Sequence, residues 1–204
     1  MKDWTRLASD EQIQRTIDAL KINGINAIVV ENAEKAKEKV IELLPQGAEV
    51  INMTSVTLDA IGIPQEINES GKYDSVRKKL MSMDRKTQGL EMQKLGAAPE
   101  WVVGSVHAVT ENGEIMIVSN TGSQLGPYAY TAAHVIWVVG TQKIVKDIDE
   151  AVKRIYEHCL PLESKRAKIA YGMEKSNVSK KLIINKETTP GRITLIFVNQ
   201  LLGF

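Results

Sequence analysis

"INAIVVENAEKAKEKVIELLPQGAEVINM", residues 25–53, decides the fold. Residues 25–31 are short, apolar and rich in β-branched side chains, the pattern of a strand buried on both faces. Asn32 can cap the helix that follows, and Pro45-Gln46-Gly47 ends it. Residues 48–53 form a second buried strand. Strand, helix, strand in that order predicts a βαβ unit with parallel strands and an α/β architecture, a mostly parallel sheet flanked by helices.

Upstream, Ser9-Asp10-Glu11-Gln12 fits a capping box. Ile13, Ile17 and Leu20 supply an apolar stripe, and Asn23-Gly24 stops that helix. Downstream, Thr54 or Ser55 can cap a short helix closing at Gly62. Residues 64–98 carry helical spacing and many charges, so a helical subdomain is expected there, with Met81, Met83 and Met92 as core or interface filler. After Pro99 the pattern turns to β. Glu111-Asn112-Gly113 between two strand-like runs is a strong hairpin signal. A polar segment, a short helix with Ala129, Ala132 and Ala133, and the strand "VIWVVG" follow. Asp147 can cap a helix ending near Pro161, and "LESKRAKIAYG" continues as another. The tail from residue 181 reads as a C-terminal hairpin around Thr189-Pro190-Gly191.

The chain has 204 residues, enough for one domain with its own core. Its 26 basic and 25 acidic residues give a net charge of +1, so no global field favours nucleic acid or an anionic membrane. Only 5% of residues are aromatic, few for a stacking platform on single strands. Cys159 is the single cysteine, which excludes an internal disulfide and a cysteine-based metal site. The N-terminus lacks an apolar signal core, and no apolar run reaches bilayer-crossing length, so a cytoplasmic location is expected.

Two polar turns carry the candidate site. Asn52, Thr54, Ser55 and Thr57 follow the second strand. Asn120, Thr121, Gly122, Ser123 and Gln124 follow the strand after the hairpin. Each offers hydroxyl, amide and backbone donors, and Gly122 allows close ligand approach. At the carboxyl ends of parallel strands they would converge on one crevice for an anionic ligand. The plain alternative is a pair of well-capped surface turns. Neither turn has dinucleotide or Walker spacing. His107, His134 and His158 form no paired motif and read as structural. His158 and Cys159, adjacent on a helix, do not face each other. Glu111 reads as a solvated turn carboxylate or a general acid–base, and Lys165-Arg166 as a solvated face or an anion clamp. The sequence names no catalytic base, metal ligand or cofactor.

"NMTSVTLDAIGI", "VVGSVHAVTENGEIMIVSNTGSQLG", "VIWVVGTQKIVKDIDEAVKRI", "PLESKRA" and "ITLIFVNQLLGF" together resemble the LUD-domain family, the short lactate-utilisation-type proteins, in collinear order over most of the chain. The resemblance implies a fold similar to the sugar-phosphate isomerase and CoA-transferase superfold. It also implies work in lactate or related organic-acid metabolism. Expected partners are a small anionic metabolite, iron–sulfur oxidoreductase subunits or a second copy. The alternatives are an accessory or scaffold subunit and a sugar-phosphate isomerase-like enzyme, for which Glu111 and Asp59 are the candidate acids. Cysteines that some short relatives carry before the final strand are missing here, which removes support for a resident cluster.

Overall fold

The computed structural model describes residues 2–204. The chain runs through α1 (Asp10–Ile22), β1 (Asn26–Val30), α2 (Ala33–Leu43), β2 (Glu49–Asn52), α3 (Val56–Ala60) and α4 (Ile63–Glu69). It continues with β3 (Asp74–Ser75), α5 (Val76–Met81), α6 (Gly89–Ala97), β4 (Trp101–Gly104), β5 (Ala108–Thr110) and β6 (Ile115–Ser119). A π-helical turn (Pro127–Thr131) precedes β7 (His134–Gly140) and the 3-10 turn Thr141–Lys143. Then come β8 (Ile144–Val145), α7 (Ile148–Arg154), a second π-helical turn (Ile155–Cys159), α8 (Leu160–Tyr171), β9 (Lys180–Ile184) and β10 (Ile193–Val198).

Six strands form a wholly parallel sheet in the order β1-β10-β7-β4-β2-β3. The expected βαβ unit is present with its strands parallel, but β10, β7 and β4 lie between β1 and β2. The local caps are those the sequence predicts. Ser9 and Gln12 close a full capping box on α1, Asn32 caps α2 through Lys35 N, and Ser55 caps α3. Strand alternation assigns side chains to two cores. Ile193, Leu195 and Phe197 of β10 join Ile13, Ile17 and Leu20 of α1 on one face. Ile196 and Val198 join Ala36, Val40, Leu58, Ile63 and Ile67 on the other.

A second sheet, β8-β5-β6-β9, packs onto the α1 face of the first, with Val109, Ile115 and Ile117 in the shared core. The β5–β6 pair is the predicted hairpin, closed at Gly113. On its far side Ala108, Met116 and Val118 pack against Ala151 and Ile155.

Four expectations are corrected. The C-terminal segment is not a hairpin: β9 pairs antiparallel with β6, while β10 inserts between β1 and β7. The reason is the different burial of the two strands. β10 is apolar on both faces and fits only a sheet covered on both sides, whereas β9 exposes Lys180 and Lys181 and suits an edge. Residues 64–98 are not wholly helical, because Asp74–Ser75 adds an edge strand beside β2. Met81 is 81% exposed, which removes the core half of its expected core-or-interface role and leaves the interface half. The helical turn before β7 covers Pro127–Thr131, leaving Ala132 and Ala133 outside it.

Candidate functional site

All six strands of the large sheet point the same way, so the segments leaving their carboxyl ends gather at one edge. There Asn52–Thr57 leaves β2, Ser105–His107 leaves β4, and Thr141–Lys143 leaves β7. With residues 119–124 beyond β6, Asn52–Thr57, Ser105–His107 and Lys143 line a cleft of about 1140 Å³. Every residue singled out in the two polar turns lines it: Asn52, Thr54, Ser55, Thr57, Asn120, Thr121, Gly122, Ser123 and Gln124. The second turn reaches the cleft by an unexpected route. β6 belongs to the small antiparallel sheet, not to the parallel one.

The turns are held differently. Arg77 Nε donates to the Asn52 carbonyl at 3.2 Å and its Nη2 to Thr54 Oγ1, fixing the β2 turn. Asn52 is 3% exposed, and its Oδ1 has no partner. In the β6 loop, Gly122 N donates to Ser119 Oγ at 2.9 Å, and Gln124 Nε2 donates to the Val118 carbonyl at 3.3 Å. Lys180 Nζ of β9 donates to the Thr121 carbonyl at 2.9 Å, and Ser179 Oγ to Asn120 Oδ1 at 3.0 Å. Much of this loop's polarity therefore serves its own shape.

The cleft floor holds groups that the sequence reading passed over. Lys143 is 2% exposed, and its Nζ donates to Thr57 Oγ1 at 3.0 Å, Ser105 Oγ at 3.2 Å and the Val106 carbonyl at 3.2 Å. Ser105 Oγ in turn donates to Thr57 Oγ1 at 3.4 Å, and Thr57 Oγ1 to the Leu202 carbonyl at 3.3 Å. Among the described residues no salt bridge reaches Lys143 or Arg154. Burial, reinforced by the Arg154 charge, pushes the Lys143 amine down to about 7.

Arg154, fully buried, donates through Nη1 to the His107 carbonyl at 2.6 Å and to Cys159 Sγ at 2.9 Å, while its Nε and Nη2 have no partner. Burial pushes the His107 imidazole down to about 3, and its Nδ1 accepts from Val118 N at 3.3 Å. A neutral ring is consistent with that acceptor role. Cys159 also lines the cleft, its thiol pushed up by burial.

The remaining candidates sort clearly. Glu111 lies outside the cleft, bound to Gln12 and Arg15 of α1. Asp59 is exposed and lines no part of it. His134 stacks on Trp101, with ring centroids 4.1 Å apart. Arg166 does line the cleft, but Glu163 grips it bidentately at 2.7 Å, and these hydrogen bonds hold its guanidinium pKa up. Among the described residues Glu163 is the only acidic side chain in the lining, against Arg77, Arg85, Lys143 and Arg166. Met81 and Met92 sit at the rim. The signal for Lys143 was its place just past the end of a buried parallel strand, the same argument already applied to Asn52–Thr57.

The LUD-domain family model matches residues 13–198. The chain belongs to the LUD-domain family. This LUD domain is similar to a crystal structure of a DUF162 family protein from Deinococcus radiodurans. The TM-score is 0.56 and the identity 14%, over 95% of this chain and 100% of that one, a likeness of fold. A weaker likeness, TM-score 0.33 at 12% identity, covers 70% of this LUD domain and 42% of eIF2B beta from Chaetomium thermophilum. No curated protein matches the chain. Among the described residues, no group of three or more His, Cys, Asp or Glu side chains could hold a metal ion, and no helix is long and apolar enough to cross a membrane.

Proposed function

We propose that the cleft binds a small organic anion, a carboxylate or a phosphorylated metabolite, and that this LUD domain acts in lactate-type organic-acid metabolism. One observation carries the reading: among the described residues four basic side chains line the cleft against one acidic side chain, Glu163, already engaged by Arg166, in a chain whose overall charges nearly cancel. A cleft lined by one sign of charge raises the local concentration of the opposite ion. The two polar turns then orient the ligand's oxygens. A parallel sheet with its cleft at the carboxyl edge also supports a relation to the sugar-phosphate isomerase and CoA-transferase superfold, although the isomerase acids Glu111 and Asp59 lie elsewhere.

The test is thermal unfolding with lactate, pyruvate, sugar phosphates and CoA thioesters. A ligand at about a hundred times its Kd adds roughly 2.7 kcal/mol, a shift of several degrees for a domain of this size. Thr121→Val with Ser123→Ala should reduce that shift while leaving the fold intact. No shift with any panel member would defeat the proposal.

A second reading, an accessory subunit, draws on the rim. Met81 of α5 and Leu90 of α6 are 81% and 58% exposed and both border the cleft. Adaptable apolar side chains of this kind suit docking to an oxidoreductase subunit or a second copy. Native mass spectrometry of the full chain, alone and with Met81→Lys, separates the second-copy form of this reading from a monomer.

A further inference from the structure

We propose that Lys143 is a nucleophile that forms a Schiff base with the carbonyl group of an anionic aldehyde or ketone bound in the cleft. The proposal rests on the anion-binding reading and adds the reacting atom. Three observations carry it. The Lys143 side chain lies at the cleft floor, and its partners are two hydroxyls and one carbonyl, never a carboxylate. Arg154 places a second cation beside it, held by the His107 carbonyl and Cys159 Sγ rather than by an acid. And the two hydroxyls touch Nζ and each other, with Ser105 Oγ donating to Thr57 Oγ1, so either can carry a proton between Nζ and a ligand oxygen.

A desolvated amine next to another cation loses its proton readily, and the free amine is the nucleophilic form. A lysine meant only to hold an anion by charge gains nothing from such a place. The charged side chains Arg77 and Arg85 line the same cleft and can hold the ligand's anionic group away from the reacting carbon.

The step balances without an oxidant or reductant. The Nζ lone pair attacks the carbonyl carbon, and the C=O π electrons move to oxygen. One Nζ proton passes through the Ser105 or Thr57 hydroxyl to that oxygen, giving a carbinolamine. A second proton, supplied by solvent water in the open cleft, reaches the hydroxyl, water leaves, and the Nζ lone pair forms the C=N bond of a protonated imine. The ligand class is an anionic carbonyl compound. Its anionic group comes from a carboxylate, as in a 2-oxo acid, or from a phosphate, as in a triose phosphate.

The test incubates the full chain at pH 8 with sodium cyanoborohydride and, separately, pyruvate, 2-oxoglutarate or dihydroxyacetone phosphate, followed by peptide mapping. The expected result is a reduced adduct on Lys143 at least about tenfold above the mean for exposed lysines, since far more of its amine is unprotonated. The 2-oxo acids and the phosphate distinguish the two ligand sources. Lys143→Met should lose the adduct, but the mapping decides the matter even where that variant folds poorly. Parallel melting curves with lactate, citrate and glycerol 3-phosphate, which cannot form an imine, separate the two proposals. Stabilisation without a Lys143 adduct overturns the nucleophile and leaves the anion cleft standing. Neither stabilisation nor adduct overturns both. Adducts spread evenly over surface lysines also overturn the nucleophile.

Discussion

Replacing Lys143 with methionine should make the chain's stability less sensitive to alkaline pH. Lysine in the unfolded chain titrates near 10.5, and in the fold Lys143 is pushed down to about 7. Between those values the unfolded state binds the extra proton, so wild-type stability rises with pH. Below pH 7 the amine is charged in both states, and the fold bears the whole penalty, of order 5 kcal/mol. The same linkage leaves about 4 kcal/mol of penalty at pH 7 and about 2 kcal/mol at pH 9. Wild type should therefore gain about 2 kcal/mol on Lys143→Met between pH 7 and pH 9. The variant also strips a donor from Thr57 Oγ1, Ser105 Oγ and the Val106 carbonyl. That loss is a constant offset and does not change the slope. Two other titrations are shared by both proteins and fall out of the difference: His107 changes charge below the window, and the raised Cys159 thiol lowers stability as the unfolded thiol, near 9.0, ionises at its upper end. Urea denaturation of both proteins at pH 7, 8 and 9 reads the difference directly. Parallel profiles would show that Lys143 keeps its proton throughout, and the desolvation argument would fail.

Arg154→Met removes the cation that helps depress Lys143, so the wild-type rise between pH 7 and 9 should shrink in the same urea series; an unchanged rise would mean the two charges do not interact. His107, folded near 3 and unfolded near 6.5, contributes stability that is present above pH 6.5 and lost as the pH falls toward 3. His107→Gln should flatten that acid limb in melting curves from pH 7 to 4. At Gly104 an added Cβ would lie 1.7 Å from Tyr128 Oη, so Gly104→Ala should cost about 2–3 kcal/mol by urea denaturation. Adding Tyr128→Phe should recover only part of it, because Tyr128 Cζ lies at 2.7 Å. Arg192 ties Glu187 to the carbonyls of Ala132, Pro127 and Tyr128, so Arg192→Met should cost about 3 kcal/mol and speed amide exchange over residues 127–132.

The elements were legible wherever one local signal sufficed. Ser9, Asn32 and Ser55 act as caps through their own side chains, and Asn112-Gly113 closes a hairpin because the turn chemistry is local. Strand partners were not legible. β9 and β10 are close in sequence, with a Pro-Gly turn between them, and the chain still sends them to different sheets. Only the burial of both β10 faces, a property of the assembled layers, decides that. The two cleft-lining turns could be read from their composition. Lys143 could not be read that way, since a lysine in a sequence is most often a solvated charge. Its burial depends on α7 bringing Arg154 beneath it and on Ser105 leaving β4 beside it, both long-range facts.

The distribution of unmet polar groups bears on whether the cleft is a site or a scaffold surface. Asn52 Oδ1, Gln142 Oε1 and two Arg154 nitrogens are buried without partners at or beside the floor where Lys143 sits. A buried cation with no counter-ion costs several kcal/mol, and apolar replacements of similar volume are often more stable. A chain needed only as scaffold would gain from methionine at 143 and 154 wherever the relieved burial penalty exceeds the hydrogen bonds lost. The two Met variants therefore test more than titration. If they are more stable than wild type at pH 7 and unresponsive to the carbonyl panel, the fold bears a cost at the carboxyl edge that chemistry, not architecture, accounts for. If they are more stable and respond as wild type does, the basic floor is dispensable, and the ligand is held by the polar turns with Arg77 and Arg85.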